Sequence, residues 1–208
     1  MTNYESGTRV PLFFRAPWIK SAVGVKSTAL AELVDLFPTL SELAGLELPT
    51  GVGGAHLGGS SLVPAFRDPK ATVKKVALSQ FPRCWQNNTG FDMNQILGPG
   101  DEVNKTVSLT SMSDCHWVRH DELDFMGYSM RTDTHRYVQW MVWDGAKLLP
   151  DWSKVVGREL YDHSLNSQLD NSYLDETENS NLATDPAHAS LLAEMEAMLK
   201  EEVTKWIV

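Results

Sequence analysis

The chain has only two cysteines, no long hydrophobic run and no cluster of basic residues. Its 208 residues include 18 Lys and Arg against 27 Asp and Glu, which gives a net charge of −9. Because no basic stripe could neutralise phosphates, we expect no nucleic-acid binding. No apolar run reaches the roughly 18 residues of a transmembrane helix, so we expect no membrane association. The first nine residues, MTNYESGTR, are polar and lack the pattern of a signal peptide.

The two cysteines, Cys84 and Cys115, are compatible with two states. They could form one disulfide or remain two free thiols, and the sequence does not choose between these. Two glycosylation sequons, at Asn87 and Asn104, lie between them. The sequon is short and also arises by chance, so Asn87 and Asn104 are candidate sites only.

The strongest secondary-structure pattern covers residues 126–144. In its first part Met126, Tyr128 and Met130 alternate with small or polar residues, which is typical of a β-strand. Its second part is apolar on both sides, as expected of a strand that is covered on both faces. The stretch therefore predicts a β-hairpin with a central strand.

The remaining pattern completes an α+β chain with an antiparallel sheet. Periodicity predicts strands at residues 10–14, 73–81 and 158–163, with residues 145–157 as a connection. An amphipathic helix is predicted from an N-cap at Asp35 to Gly45, which would follow its C-terminus. A second helix is predicted after Asp185, with Pro186 at its first position. Both helices are amphipathic. We expect the apolar stripe of the second helix to be buried, whereas the stripe of the first would be exposed if the chain is a stand-alone module.

No catalytic motif is evident in the chain. It contains neither a Gly-x-Ser-x-Gly elbow nor a His-Glu-x-x-His zinc motif. A long polar stretch at residues 84–125 contains Cys115, His116 and His120, but no further ligands follow at a spacing that suits zinc. Composition and periodicity alone therefore indicate no active site.

Several segments, taken together and in order, resemble the C-terminal part of the sulfatase family. No single segment is specific, but their order and spacing match along the whole chain. Two of them are most similar to iduronate-2-sulfatase-like members. The segments are Asn3-Tyr4-Glu5, Leu36-Phe37-Pro38-Thr39, Ser79-Gln80-Phe81-Pro82-Arg83, Met126-Gly127-Tyr128-Ser129-Met130-Arg131-Thr132 and Glu159-Leu160-Tyr161-Asp162-His163.

The resemblance implies a sulfuric ester hydrolase whose active site lies upstream of this chain. Family enzymes use a formylglycine made from Cys in a Cys-x-Pro-x-Arg motif, and a bound calcium neutralises the sulfate oxygens. Neither Cys84 nor Cys115 is followed by that motif, and the metal-binding segment is missing. We therefore expect no catalytic residue and no metal ligand here. The chain resembles the last two-fifths of a sulfatase, with Met1 as an internal methionine.

The resemblance also implies a domain organisation. Residues 1–48 would be the last strand and helix of the large α/β domain, and residues 49–72 a linker. Residues 73–208 would be the small C-terminal subdomain, a four-stranded antiparallel sheet packed on a C-terminal helix, with residues 84–125 as a long loop insertion. Lysosomal, secreted or exported localisation is expected from the family.

Two functions follow as hypotheses. In the first, the parent protein hydrolyses sulfate esters of a sulfated uronic acid or glycosaminoglycan, and this fragment alone is inactive. Its partners would be the upstream catalytic part and the sulfated saccharide, which Arg83, Arg131 and His135 could contact. The competing interpretation of Arg131 is an ion pair with a carboxylate inside the fold. In the second, the chain is a truncated, non-catalytic interaction module that exposes apolar surface.

Overall fold

The fold is organised around one antiparallel sheet, as the sequence predicts. The computed structural model describes residues 3–48, 58–84, 115, 118–164 and 178–205. Within these residues the sheet has the order β1-β2-β3-β4, so that every strand pairs with its neighbour in sequence. The strands are β1 (Ala77–Arg83), β2 (Phe125–Arg131), β3 (His135–Asp144) and β4 (Leu149–Asp162).

The predicted hairpin forms the centre of the sheet. Strands β2 and β3 pair with Ser129 opposite Val138, and both are internal strands. Thr132 closes the turn: its backbone N–H donates to the carbonyl of His135 at 2.8 Å, and its hydroxyl accepts from the His135 N–H at 3.0 Å. The prediction of a hairpin with a central strand is therefore confirmed.

Four α-helices lie in the described part of the chain. They are α1 (Glu5–Thr8), α2 (Leu36–Leu43), α3 (Val63–Arg67) and α4 (Ala189–Thr204). Helix α4 begins as predicted: the Asp185 carboxylate accepts from the backbone N–H of Ala187 at 2.9 Å, and a short 3-10 turn (Pro186–His188) leads into the helix. An N-cap of this kind satisfies a backbone donor that has no partner within the helix.

Helix α4 covers one face of the sheet and forms the main core with it. Its buried residues Met195, Leu199 and Val203 pack against a cluster on the strands that includes Met130 and Tyr137. Full burial of one large apolar side chain contributes about 1.5–3 kcal/mol. The four-stranded sheet with its C-terminal helix is therefore confirmed as the predicted α+β fold.

Helix α2 is present as predicted, and its apolar stripe lies on the surface. A 3-10 turn (Leu33–Asp35) leads into it, and Gly45 follows its end at φ +67°, as expected of a glycine in this position. The buried side chains of the helix include Thr39 and Ser41, whereas Phe37 is 51% exposed and Leu40 56%. The helix is therefore amphipathic, with its polar side buried and its apolar side largely exposed.

Polar contacts explain the orientation of α2. The Asp35 carboxylate accepts from the backbone N–H groups of Glu32 at 2.7 Å and Ser60 at 2.8 Å. The Thr39 hydroxyl accepts from the backbone N–H of Leu62 at 2.9 Å. The segment that ends in α3 therefore packs on the polar side of α2, and the apolar side is left uncovered.

The strand predicted at residues 10–14 does not form. This stretch has no regular secondary structure, and Phe13 is 89% exposed. A strand needs hydrogen bonds from a neighbour, and the described part of the chain supplies no neighbouring strand there. The strand that the resemblance assigns to the end of a large α/β domain is therefore not formed in this structure.

The prediction that residues 145–157 form a connection is also wrong. Strand β4 begins at Leu149, which pairs with Asp144, so that only residues 145–148 form the turn. Leu148 lies in this turn at φ +55°, and the pairing of β3 with β4 contains irregularities on either side of Met141. Because the ladder to β3 supplies backbone partners, a stretch with weak periodicity still becomes a strand.

The structure joins the two cysteines. Cys84 and Cys115 form a disulfide with their Cα atoms 5.4 Å apart, which links the end of β1 to a residue 31 positions later. The sequon residues Asn87 and Asn104 lie outside the described residues, as does most of the long loop insertion. The boundaries predicted at residues 48 and 72 stay predictions. No helix in the described part is long and apolar enough to span a membrane.

Candidate functional site on the polar face of the sheet

The two faces of the sheet differ in chemistry. Side chains alternate between the faces of a strand, so Met130 and Tyr137 face α4 while their neighbours Arg131 and Arg136 face the opposite side. This opposite side, here called the polar face, also bears Ser129 and Glu159. Of the three basic residues predicted to contact substrate, Arg83 and Arg131 lie on the polar face, whereas His135 is on the same side of β3 as Tyr137.

Arg136 is the centre of the polar face. It is 1% exposed, and its guanidinium donates to two carboxylates: Nε to Glu178 Oε1 at 2.5 Å, and Nη2 to Glu5 Oε2. Its Nη1 donates to the carbonyl of Asn3 at 2.6 Å and to the hydroxyl of Ser129 at 3.0 Å. A buried charge needs such partners. The network therefore attaches the N-terminal segment, residues 3–8, to the sheet.

A glycine lets that segment approach the sheet closely. The side-chain amide of Asn3 donates to the carbonyl of Gly127 at 3.1 Å. A Cβ at Gly127 would lie 2.6 Å from the Trp140 ring and 2.8 Å from the Asn3 amide nitrogen. Only a residue without a side chain fits between these two groups.

Two further side chains complete the Arg136 network. Arg131 donates from Nε to Glu5 Oε2 at 3.2 Å, and His163 Nε2 lies 3.1 Å from Glu178 Oε1. Burial raises the pKa of Glu5, but Arg136 and Arg131 outweigh burial and hold that pKa below its usual value. Arg131 thus has the internal carboxylate partner that was the competing interpretation from the sequence.

The same network offers a possible metal-ligand set, which does not fit calcium. Ligand atoms of Glu5, His163 and Glu178 lie within 4.8 Å of one another. However, the Arg136 guanidinium pairs with both carboxylates and already neutralises them. Calcium takes six to eight oxygen ligands, and a cation there would meet the guanidinium charge. We therefore interpret this cluster as an ion-pair network.

Arg83 lies at the far end of β1 in a different environment. Its guanidinium carbon is 4.8 Å from the ring centre of Phe81 and 5.5 Å from that of Trp140. Its Nε is buried and has no hydrogen-bond partner in the structure. The nearby carboxylate of Glu159 accepts instead from Trp140 Nε1 at 2.8 Å and from the Tyr161 hydroxyl at 3.1 Å. Burial raises the pKa of Glu159.

His135 lies at the turn of the hairpin. Its ring is 3.8 Å from the Asp162 carboxylate, and its Nδ1 is 2.9 Å from the hydroxyl of Thr134. Burial lowers the pKa of His135, and the charge of Asp162 opposes this effect only in part. The imidazole is therefore biased toward its neutral form.

The structure does not bring the three predicted residues together. Arg131 and His135 lie at the hairpin turn, whereas Arg83 pairs with Phe125 at the other end of β2. Six residues along a strand correspond to about 20 Å. The described residues also form a cleft of about 190 Å³, which the side chains of Lys70, Lys74 and Asp133 help to line, and none of the three predicted residues lines it.

Sequence reasoning missed the network residues Arg136, Glu5, Glu178 and His163. A signal for Arg136 was present, since a charged residue inside a strand that is apolar on both sides must be paired when buried. No comparable signal marks its partners. They come from three distant parts of the chain, and only the fold brings them together.

Comparison with known proteins supports the resemblance seen in the sequence. The chain is 27% identical to human iduronate 2-sulfatase over 198 residues, a match that covers 77% of this chain and 32% of that protein. It is 33% identical to human arylsulfatase K over 98 residues, which covers 44% of this chain and 17% of that protein. A sulfatase of Formosa agariphila is 43% identical over 49 residues, 24% of this chain and 9% of that protein.

The chain thus spans about a third of the length of human iduronate 2-sulfatase, and its similarity to the C-terminal part of sulfatases is confirmed. No profile of a known protein family matches it. Among solved structures, a 2-O GAG sulfatase has a TM-score of 0.46 and 22% sequence identity, with coverage of 82% of this chain and 24% of that one.

Proposed function

We propose that this chain is the C-terminal part of a sulfatase and that it completes a catalytic domain encoded upstream. One observation carries the proposal: the similarity to human iduronate 2-sulfatase runs along 77% of this chain but accounts for only 32% of that protein. The parent protein would be a sulfuric ester hydrolase. Its catalytic residues and calcium ligands would lie in the upstream part, and this chain alone would be inactive.

The proposed substrate is a sulfated uronic acid or glycosaminoglycan. The name of the iduronate relative supports this choice. The ion-pair network supports a calcium site in the upstream part and not in this chain, because Arg136 already neutralises Glu5 and Glu178, the carboxylates that a calcium ion would need here. The polar face would then contribute to the rim of the substrate pocket, and calcium would be held elsewhere.

The uncovered apolar side of α2 supports a tightly packed upstream partner. Leu33 and Phe13 are 74% and 89% exposed, and Phe37 and Leu40 lie on the same helix with more than half of their surface exposed. Large apolar patches of this kind mark interaction sites in soluble proteins. In the proposed parent protein, the upstream catalytic part covers this surface.

A lysosomal, secreted or exported location is also proposed. The disulfide between Cys84 and Cys115 supports it, because disulfides persist mainly in oxidising compartments. Intact mass before and after reduction and alkylation checks the pairing. Alkylation of both thiols without prior reduction would contradict it.

The test of the main proposal begins with the DNA that encodes the chain. The reading frame upstream of Met1 is sequenced, and the longer protein is expressed together with a formylglycine-generating enzyme. Sulfate release from an aryl sulfate and from 2-O-sulfated iduronate is then measured with calcium present. We expect the longer protein to release sulfate and this chain alone to release none.

Two results would overturn the proposal: sulfate release by this chain alone, or a longer protein without a Cys-x-Pro-x-Arg motif and without activity. Activity on the aryl sulfate but not on the sulfated uronate would keep the sulfatase and reject the substrate class.

A second candidate is a non-catalytic interaction module, which the exposed apolar side of α2 also favours. This candidate predicts concentration-dependent self-association of the isolated chain. Analytical ultracentrifugation of wild type and of a Leu33→Ser, Phe37→Ser, Leu40→Ser variant measures it. A monomer with a sharp melting transition at every concentration would count against the module.

A further inference from the structure

Arg83 differs from the other arginines in the way its charge is satisfied. Each of the others except Arg15 has a carboxylate within 4.0 Å: Arg9, Arg67, Arg119, Arg131, Arg136 and Arg158. Arg15 is exposed to solvent, so water can satisfy it. Arg83 is half-buried, yet no carboxylate in the described part of the chain pairs with it.

The position of the Arg83 guanidinium is set by its neighbours. It lies over two aromatic rings, those of Phe81 and Trp140, and such contacts favour a cation over the ring face. The next residue, Cys84, is buried and held by a disulfide, so the strand end that carries Arg83 is fixed. A ligand that binds here would meet a side chain that is already ordered.

One nitrogen of the Arg83 guanidinium lacks a hydrogen-bond partner, which lowers the stability of the fold. Its Nε is buried without a partner, and a buried donor without a hydrogen bond is destabilising. Nε is the one Arg83 nitrogen that is both buried and unpaired. Within the described residues its terminal amino groups donate to no protein group, and Arg83 is only half-buried, so these groups are left for solvent or a ligand.

We propose that Arg83 is a binding site for an oxyanion of a saccharide, a sulfate or a carboxylate, held by the terminal amino groups of its guanidinium. The planar guanidinium matches such oxyanions with two parallel hydrogen bonds, and partial desolvation strengthens the interaction. The inference rests on the proposed function for its choice of ligand. Arg131, in contrast, already has a carboxylate partner, because its Nε lies 3.2 Å from Glu5 Oε2.

The test measures binding to the purified full chain, with no catalytic step. Sodium sulfate, sodium glucuronate and a heparin-derived sulfated disaccharide are titrated at constant ionic strength against sodium chloride. The arginine Nε–H signals are followed by NMR, and affinity is measured by calorimetry. We expect the Arg83 signal to shift on titration and the Arg83→Met variant to bind about tenfold more weakly or worse.

Arg15→Met is the matched control, because it removes an exposed arginine from the same chain. It should bind as wild type does. Arg83→Lys keeps the charge but loses the planar fork, so we expect it to bind more weakly than wild type and more tightly than Arg83→Met. A sulfate response without a glucuronate response identifies the ligand as sulfate, and the reverse identifies it as carboxylate.

Stability separates this proposal from a purely structural role. If Arg83 binds a ligand, Arg83→Met should lose the stabilisation that sulfate or glucuronate gives to wild type, whatever its own stability in chloride. If Arg83 only stacks on Phe81 and Trp140, Arg83→Met should be less stable in chloride and should bind the anions normally. That second pattern, or an unshifted Arg83 signal in wild type, overturns the proposal.

The outcome is independent of the sulfatase assay. Binding at Arg83 could hold while the longer protein releases no sulfate, and sulfate release could be found while Arg83 binds nothing. The two proposals therefore fail separately.

Discussion

Helices α2 and α4 have similar sequence patterns but opposite environments. Both carry an apolar stripe with helical spacing, but the sequence predicts burial only for the stripe of α4. Helix α4 does so, with Leu199 at 0% exposure in the core against the sheet. Helix α2 buries polar residues, including Asp35 and Thr39, and exposes Phe37 and Leu40.

The difference separates the sheet with α4, which cover each other's apolar surface, from the region around α2, whose apolar side chains are exposed. The sheet and α4 supply each other with apolar surface, so this unit needs no further partner on that face. The region around α2 has satisfied its polar groups and left its apolar side chains uncovered. Within the described residues the apolar side of α2 thus stays exposed, as the proposal of an upstream partner requires.

The largest expected effect on stability comes from the contacts that attach the N-terminal segment, residues 3–8, to the sheet. Arg136→Met removes the guanidinium that pairs with Glu5 and Glu178, and it leaves two buried carboxylates without that partner. Breaking a buried pair costs about 3–5 kcal/mol. Urea denaturation measures the free energy of unfolding of the variant.

Arg158→Met is the control for this prediction, because it removes an exposed pair with Glu196 and should cost less than about 1 kcal/mol. Equal losses of unfolding free energy in the two variants would show that burial does not increase the contribution of the Arg136 network to stability.

The second prediction tests the two helices directly. Leu199→Ala opens a cavity in the core and should lower the free energy of unfolding by about 2–5 kcal/mol. Leu40→Ala truncates an exposed side chain and should change it by less than about 0.5 kcal/mol in this chain. Urea denaturation of both variants gives the comparison.

In a longer protein with the upstream part, Leu40→Ala should become destabilising. If Leu40→Ala already destabilises the isolated chain as much as Leu199→Ala, then α2 is buried in solution and the contrast between the helices is wrong.

The third prediction is a pH dependence located in the ion-pair network. Because the pKa of Glu5 is lower in the folded state than its usual 4.5, its ionised form favours folding. This contribution is fully present above pH 4.5 and is lost as pH falls through the folded-state value. Glu5→Gln should cost about 2 kcal/mol at neutral pH, since it weakens hydrogen bonds to two arginines.

Urea denaturation at a series of pH values checks both effects. Glu5→Gln should show a flatter loss of stability below pH 4.5 than wild type. Parallel curves for the two proteins would exclude Glu5 as the titrating group.

The smallest expected effect is at the end of α2. Gly45 has φ +67°, and an L-residue in this conformation costs about 1–2 kcal/mol. Gly45→Ala should therefore lower the free energy of unfolding by about 1 kcal/mol, provided that α2 unfolds together with the sheet. Glu47→Ala, an exposed change beside it, is the control and should be nearly neutral.

Two separate melting transitions, with only the first one shifted by Gly45→Ala, would show that α2 is not part of the cooperative unit. That result would strengthen the contrast between the two helices.

Much of the fold could be predicted because its signals are local. The alternation at Met126, Tyr128 and Met130 predicts a strand that forms, and the caps at Asp185 and Gly45 lie where the helices begin and end. The strand predicted at residues 10–14 does not form, because it needs a neighbouring strand that the described part of the chain does not supply. The start of β4 at Leu149 was missed because the ladder to β3, and not its own periodicity, makes it a strand.

The candidate site was less predictable than the fold. Arg83, Arg131 and His135 were chosen for their charge alone, and their roles in substrate contact stay predictions. Charge in a sequence does not reveal a partner: Arg131 pairs with Glu5, 126 positions away, while Arg83 pairs with no carboxylate in the described chain. Such contacts depend on which elements the fold brings together.

The sequence by itself determined most of the secondary structure of the C-terminal unit, its α+β class and its similarity to sulfatases, but not residues 149–157 of β4, which become a strand by pairing with β3. These depend on periodicity, caps and ordered motifs, which are read from neighbouring residues. The tertiary structure alone decided which side of α2 is covered, that Cys84 pairs with Cys115, and that Arg136 links three distant segments. Burial and charge pairing are properties of residues far apart in the chain, and only folding brings those residues into contact.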